Sequence, residues 1–263
     1  MVGNNSVLTS IEGEVATLTL NRPQFHNAFD EQMIEELLGA LESVSVIDSI
    51  RVVILAANGN SFSSGADLGW MRRASAMTEN ENLSDARRLA HLLSKLNKLS
   101  KPTIAIVRGP AYGGGMGLLC CCDMVLATPT CRFKLSEVRL GLIPAVIMPY
   151  VVAAIGARHA RRYALTAETI NLDSALKMGL VHVRCKDDKE LKSDCDKLTN
   201  SLLSGGAEAI GDAKNFLLKI SGHPIDSDLI EESARRIAHR RTQDEAKEGI
   251  EAFLQKRSPI WAK

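Results

Sequence analysis

The stretch VRGPAYGGGMGLLCCCDMV, residues 107–125, decides the fold: three consecutive glycines, Gly113 to Gly115, stand between an apolar strand and a short apolar helix. A glycine lets the backbone approach a ligand and adopt conformations closed to other residues, at an entropic cost that needs a reason. Three of them at a helix start leave N–H groups unpaired under the positive end of the helix dipole, a setting that suits negative charge. A dinucleotide fingerprint does not fit, because Gly113-x-Gly115 is followed by Leu118 and Gly115-x-Gly117 by Cys120 where a third small residue is needed. A phosphate loop fails for want of Gly-Lys-Ser/Thr. The plain alternative is that the glycines only let a helix lie close to the sheet.

Working outward, Thr103–Val107 is a continuous apolar run suited to a strand buried on both faces, and Arg51–Ala56 is a second one. Each leads into a glycine-bearing turn and a helix start, NSFSSGADL after the first and GPAYGGGMG after the second, a weak internal repeat. Two such turns can aim backbone N–H groups at one oxygen. Paired amides of this kind form an oxyanion hole, where losing one donor typically costs about 2.7–4 kcal/mol in the barrier.

Around these units, VLTSIEGEVATLTLNRP (7–23) reads as a hairpin turning at Glu12-Gly13, and Asp30 caps a helix with Met33, Ile34, Leu37, Leu38 and Leu41 at helical spacing. Leu83, Ala86, Ala90, Leu93, Leu96 and Leu99 mark a long amphipathic helix closed at Lys101-Pro102. Met124–Ala127 is a third buried strand. The expected class is α/β, with strands and helices interleaved to about Val183 and only helices beyond: 189–204, 207–220, and one charged helix from Leu229 to Leu254. A core of residues 1–188 and a helical packing region of 189–263 follow from that division.

With 32 Lys plus Arg against 31 Asp plus Glu, the net charge of +1 gives no general attraction to nucleic acid or anionic membrane. The N-terminus lacks a basic region followed by an apolar one, which leads to an expectation of the cytoplasm. The six cysteines form no C-x-x-C pair and read as buried free thiols, with no metal site expected.

The residues FSSGADL, KPTIAIVRGPAYGGGMGL, CDMVLA, SEVRLGLIP and ARRYALTAETINLDSALKMGLVHV, in that order from about Val7 to the C-terminus, resemble the enoyl-CoA hydratase/isomerase (crotonase) superfamily. The resemblance implies a β-β-α spiral core with a helical C-terminal region, an acyl-CoA thioester substrate, and a homotrimer or dimer of trimers. Coenzyme A would be part of the substrate, with no separate cofactor. The enolate hole would belong to the amides of Ala66 and Gly114. Hydratases of the family carry two glutamates; the second corresponds to Glu137, and the first position is Gly117. Glu137 alone would then move protons between water and substrate. The subgroup resembled is bacterial methylglutaconyl-CoA hydratase of leucine breakdown, through GADLGWMRRA, AYGGGMGL and SEVRLGLIPAVIMPYVV. A double-bond isomerase using Glu137 and a non-catalytic binding protein of the same fold are the rival readings.

For coenzyme A, the resemblance points to Ser64, Ala66, Asp67, Leu68 and Gly69 along the adenine and pantetheine, Arg22 near the phosphates, and Phe253 and Lys256 from the tail, donated by another subunit. Arg72 or Arg73 would meet a distal carboxylate, against solvated or phosphate-facing arginines as the alternative. Trp70 and Met71 read equally as acyl-pocket lining or ordinary core. His26 and Asp123 read as structural, the one in a loop and the other as a turn or cap.

Overall fold

The computed structural model describes residues 5–262. The expected hairpin is β1 (Val7–Glu12) and β2 (Val15–Leu20), antiparallel, turning at Gly13. Asp30 then caps α1 (Glu31–Ser45), its side chain accepting from the Met33 N–H at 2.9 Å. Such a cap is worth about 1 kcal/mol. The chain continues through β3 (Val52–Ala57), the short α2 (Leu68–Ala74), α3 (Glu79–Asn97) and β4 (Thr103–Val107). Next come β5 (Ala111–Tyr112), α4 (Gly114–Cys121), β6 (Met124–Ala127) and β7 (Arg132–Lys134). They are followed by α5 (Met148–Thr166), β8 (Ile170–Asn171), α6 (Leu172–Met178) and β9 (Val183–Arg184).

Six strands form one sheet in the order β1-β2-β3-β4-β6-β9, parallel from β2 onward. The continuous apolar runs are explained by the two layers they serve. Val53, Leu55, Ala105, Val107, Val125 and Ala127 face the main core, beside α1, α3, α4 and α5. Their alternating neighbours Val52, Ile104 and Leu126 face a second cluster completed by Cys185, Leu191 and Cys195. A period of two thus sends each strand's side chains to both layers. A second sheet, β5-β7-β8, was not expected; its strands of two or three residues are too short to show a period.

Beyond β9 the described residues are helical: α7 (Asp188–Leu203), α8 (Ala207–Ile220), α9 (Ser227–Arg241) and α10 (Asp244–Leu254). The single helix expected from Leu229 to Leu254 is two, broken at Thr242-Gln243. Arg240 and Arg241 end α9 and acidic Asp244 and Glu245 open α10, so each terminus carries the charge its dipole favours. Arg240 spans the break, pairing with Glu245 across it and with Glu208 and Asp212 of α8.

Lys214 of α8 is a buried polar tie between these helices and the sheet. It is 8% exposed and pairs with Asp123 at 2.7 Å, while the same carboxylate accepts from Thr103 N–H (2.7 Å) and Oγ1 (2.9 Å). Removing one member of a buried pair typically costs about 3–5 kcal/mol. Since Thr103 still serves Asp123, Lys214→Met should cost about 3 kcal/mol in urea unfolding, with faster amide exchange in α8.

Candidate active site

The loops after β3 and β4 begin side by side because those strands are parallel neighbours, and they stay paired past the sheet. Phe62 N–H donates to the Pro110 carbonyl at 2.9 Å, and Tyr112 N–H to that of Ser63 at 2.9 Å. On the other side, Phe29 N–H donates to the Gly65 carbonyl (2.7 Å) and Asp67 N–H to that of Phe29 (2.8 Å). Residues 63–67 are therefore held between the segment before α1 and the segment before α4.

Where the two turns meet, only glycine fits. Gly65 has φ +93, and a β-carbon there would lie 3.2 Å from the Tyr112 carbonyl oxygen. Gly113 has φ +49, and its β-carbon would lie 3.8 Å from the Gly65 α-carbon. The two turns are thus close neighbours. Beside them are two amides, Ala66 N–H and Gly114 N–H, with no hydrogen-bond partner among the described residues. Gly114 is the first residue of α4, where helical geometry leaves the N–H free and the dipole positive. The rest of the triplet answers to space, since β-carbons at Gly114 and Gly115 would lie 2.9 Å from the Phe29 ring and 2.7 Å from Ser63 Cβ.

The small second sheet delivers a carboxylate to this place. Tyr112 of β5 pairs with Lys134 of β7, and Gly113 N–H donates to the Lys134 carbonyl at 2.9 Å. Three residues past β7, Glu137 opens a 3₁₀ turn running to Leu140. Its Oε1 lies 3.0 Å from where a Gly113 β-carbon would be. Its Oε2 is buried without a hydrogen-bond partner. Burial pushes the Glu137 carboxyl above the ordinary carboxylate value, against the smaller opposing pull of its own and Ser136's backbone amides.

Gly117, where the sequence resemblance leads to the expectation of a missing glutamate, leaves no room for even a β-carbon without a shift of its neighbour. A β-carbon there would lie 2.4 Å from Ile147 Cγ2, and Ile147 is itself 3% exposed. Sequence reading missed Ile147 as an individual residue and found only the apolar character of residues 143–152.

Of the residues assigned to coenzyme A, Ser64, Ala66, Leu68 and Gly69 are exposed at the lip beside the two free amides, and Asp67 is half-buried. Asp67 caps α2 through the Trp70 N–H at 3.1 Å. Arg22 lies next to this lip, but its guanidinium braces the loop: it pairs with Asp30 (2.9 Å) and Asp67 (3.5 Å), donates to the Ala28 carbonyl (2.5 Å) and stacks on Phe25. Phe253, 81% exposed, and Lys256 end α10 and the turn after it, and no hydrogen bond or ion pair among the described residues joins them to the lip. Arg73 is held by Glu31 in a two-point ion pair, whereas the exposed Arg72 guanidinium has no partner among the described residues. Trp70 is buried with its indole N–H unpartnered, and Met71 is half-buried. His26 is a loop residue, its ring 3.1 Å from Ser61 Oγ. All six cysteines are free, and among the described residues no cluster of three His, Cys, Asp or Glu could hold a metal.

The family model for enoyl-CoA hydratase/isomerase matches residues 10–263. The chain belongs to that family. A solved enoyl-CoA hydratase from Shewanella pealeana superposes with a TM-score of 0.95 at 42% identity, covering 98% of this chain and 97% of that one. The 2,3-dehydroadipyl-CoA hydratase of Escherichia coli is 31% identical over 256 residues, 97% of this chain and 98% of the relative. The trans-2-decenoyl-[acyl-carrier-protein] isomerase of Streptococcus mutans is 30% identical over 260 residues, 96% of each. Hydratases and isomerases both occur among its relatives, so membership gives acyl-thioester chemistry without fixing which of the two reactions is run. Among the described residues, no helix is long and apolar enough to cross a membrane.

A carboxyl whose pKa is raised on folding destabilises the folded state when charged, and that burden disappears as pH falls below its unfolded value. Glu137→Gln should therefore melt above the parent protein at pH 7–8, with the difference shrinking toward zero below about pH 4.

Proposed function

We propose that the protein is an enoyl-CoA hydratase acting on a short, branched 2-enoyl-CoA, with 3-methylglutaconyl-CoA as first choice. The observation that carries this reading is the half-buried Glu137, one carboxyl oxygen of which is buried without a partner, near two free amides on neighbouring turns. In the mechanism, the thioester oxygen accepts from Ala66 and Gly114 N–H. Glu137 takes a proton from the water whose oxygen bonds to C3, the electron pair moves onto the thioester as an enolate, and Glu137 returns a proton to C2. The sum is one water added across the double bond. Burial suits the first half, because a raised pKa makes the carboxylate a stronger base toward the attacking water.

For the substrate, the apolar IPAVIMPYVV wall favours a short branched chain. A distal carboxylate needs a cation, and Arg72 is the free guanidinium on α2, since Glu31 holds Arg73. The Escherichia coli relative's named substrate is likewise a dicarboxylic acyl thioester. The second reading, a 3-enoyl-CoA isomerase, is favoured by the lone carboxylate, since moving one proton from C4 to C2 needs no water.

One kinetic comparison separates these. Glu137→Gln should cut turnover of 3-methylglutaconyl-CoA by about 10²–10⁴, and Arg72→Ala should reduce kcat/KM on it far more than on crotonyl-CoA. Unimpaired turnover in Glu137→Gln removes that residue from the mechanism, and equal Arg72→Ala losses on both substrates remove the carboxylate contact. Conversion of a 3-enoyl-CoA faster than hydration of any 2-enoyl-CoA establishes the isomerase instead.

A trimer or dimer of trimers belongs to the same proposal, with Phe253 and Lys256 reaching a neighbouring subunit's lip. Exposed Ile250, Phe253, Leu254 and Ile260 along α10 and the tail supply the apolar surface for such contacts. Sedimentation should give three or six times the 28.6 kDa chain mass; a monomer ends that part of the proposal.

A further inference from the structure

Gly113, the non-helical residue that caps α4, and Gly117 inside it are joined by the Gly117 N–H to Gly113 carbonyl bond of 3.0 Å. Opposite the first is the Glu137 carboxyl, and opposite the second is Ile147. Ile147 presses its Cγ2 and Cβ to within 2.4 and 2.9 Å of where a Gly117 β-carbon would sit, and Leu93 Cδ2 of α3 lies 3.8 Å from the same point. The start of α4 therefore meets a carboxylate at its cap and a closed apolar contact one turn in.

The orientation of a bound thioester follows from burial along α4. Gly114 is half-buried, and every residue from Gly115 to Leu119 is buried, while Ser64, Ala66, Leu68 and Gly69 are exposed. A thioester whose carbonyl is held by Ala66 and Gly114 therefore keeps its coenzyme A limb at the exposed lip. Its acyl limb runs inward along α4 from Gly114 toward Gly117 and the Ile147 side chain opposite it, about 4.5 Å further along the helix.

We propose that Ile147 is the specificity-determining residue that limits how far an acyl chain extends along α4, and that its contact with Gly117 is what bars a second polar side chain beside Glu137. This rests on the thioester orientation proposed above, though not on which reaction is run. Ile147→Ala removes three carbons from a fully packed position against Gly117.

The test is equilibrium binding of butyryl-CoA and hexanoyl-CoA, saturated thioesters that can be neither hydrated nor isomerised. The parent protein should bind butyryl-CoA tighter, and Ile147→Ala should move the ratio toward hexanoyl-CoA by about tenfold, the effect of burying two further methylenes. Ile147→Val, a milder change, should move it the same way by about threefold. A ratio unchanged in the variants that fold overturns the proposal. Failure of the parent protein to bind either thioester would instead overturn the acyl-thioester orientation beneath it, a distinguishable result. Independently, Gly117→Ala should lower the melting temperature, and adding Ile147→Ala should recover part of that loss; strictly additive losses would refute the contact.

Discussion

The candidate site depends on one constraint: two chain turns run close together through positive backbone φ values, +93 at Gly65 and +49 at Gly113, that glycine adopts without strain. Parallel pairing of β3 and β4 brings the turns to the same edge of the sheet, and the bonds through Phe62, Ser63 and Tyr112 keep them together beyond it. The free amides are a by-product of this closeness. Ala66 points out of its pairing with Phe29, and Gly114 begins a helix, so neither N–H has an internal acceptor to lose.

A second constraint holds the unit rigid. Asp123 follows α4 directly and bonds to Thr103, the first residue of β4, so both ends of the strand, turn and helix that carry the glycines are clamped by one carboxylate. Lys214 fastens the C-terminal helices to the same atom. A residue far from the reacting positions thereby sets how firmly the first turn of α4 is placed. Against this, the site keeps a carboxyl buried with one oxygen unpartnered, a local cost that the doubly buried sheet offsets.

What could be read in the sequence follows from the length and regularity of each element. The strands Val52–Ala57, Thr103–Val107 and Met124–Ala127 were legible because burial on both faces leaves continuous apolar runs. The turns were legible from their glycines, and Glu137 only through the motif around it. The three-stranded sheet that carries Glu137 was not, because pairs of two residues have no period to detect. Gly117 read as a missing acid; in three dimensions it is a packing position matched to Ile147, a pairing of residues thirty apart that no local pattern records. The break at Thr242-Gln243 did leave a trace, the switch from two basic residues to two acidic ones, which the run of helix-forming residues on both sides obscured.

The sulfur-rich end of α4 has a chemical consequence of its own. An α,β-unsaturated thioester, the substrate class of the proposed reaction, is an electrophile at C3, and the form of cysteine that adds to such a carbon is the thiolate. Cys120, Cys121 and Cys122 follow Gly114 by only a few residues, yet burial pushes Cys120 and Cys122 up to about 12 and Cys121 upward as well. All three stay as neutral S–H groups at physiological pH. The protein can thus fill the core beneath a reactive ligand with small polarisable side chains and still be spared from alkylation by it.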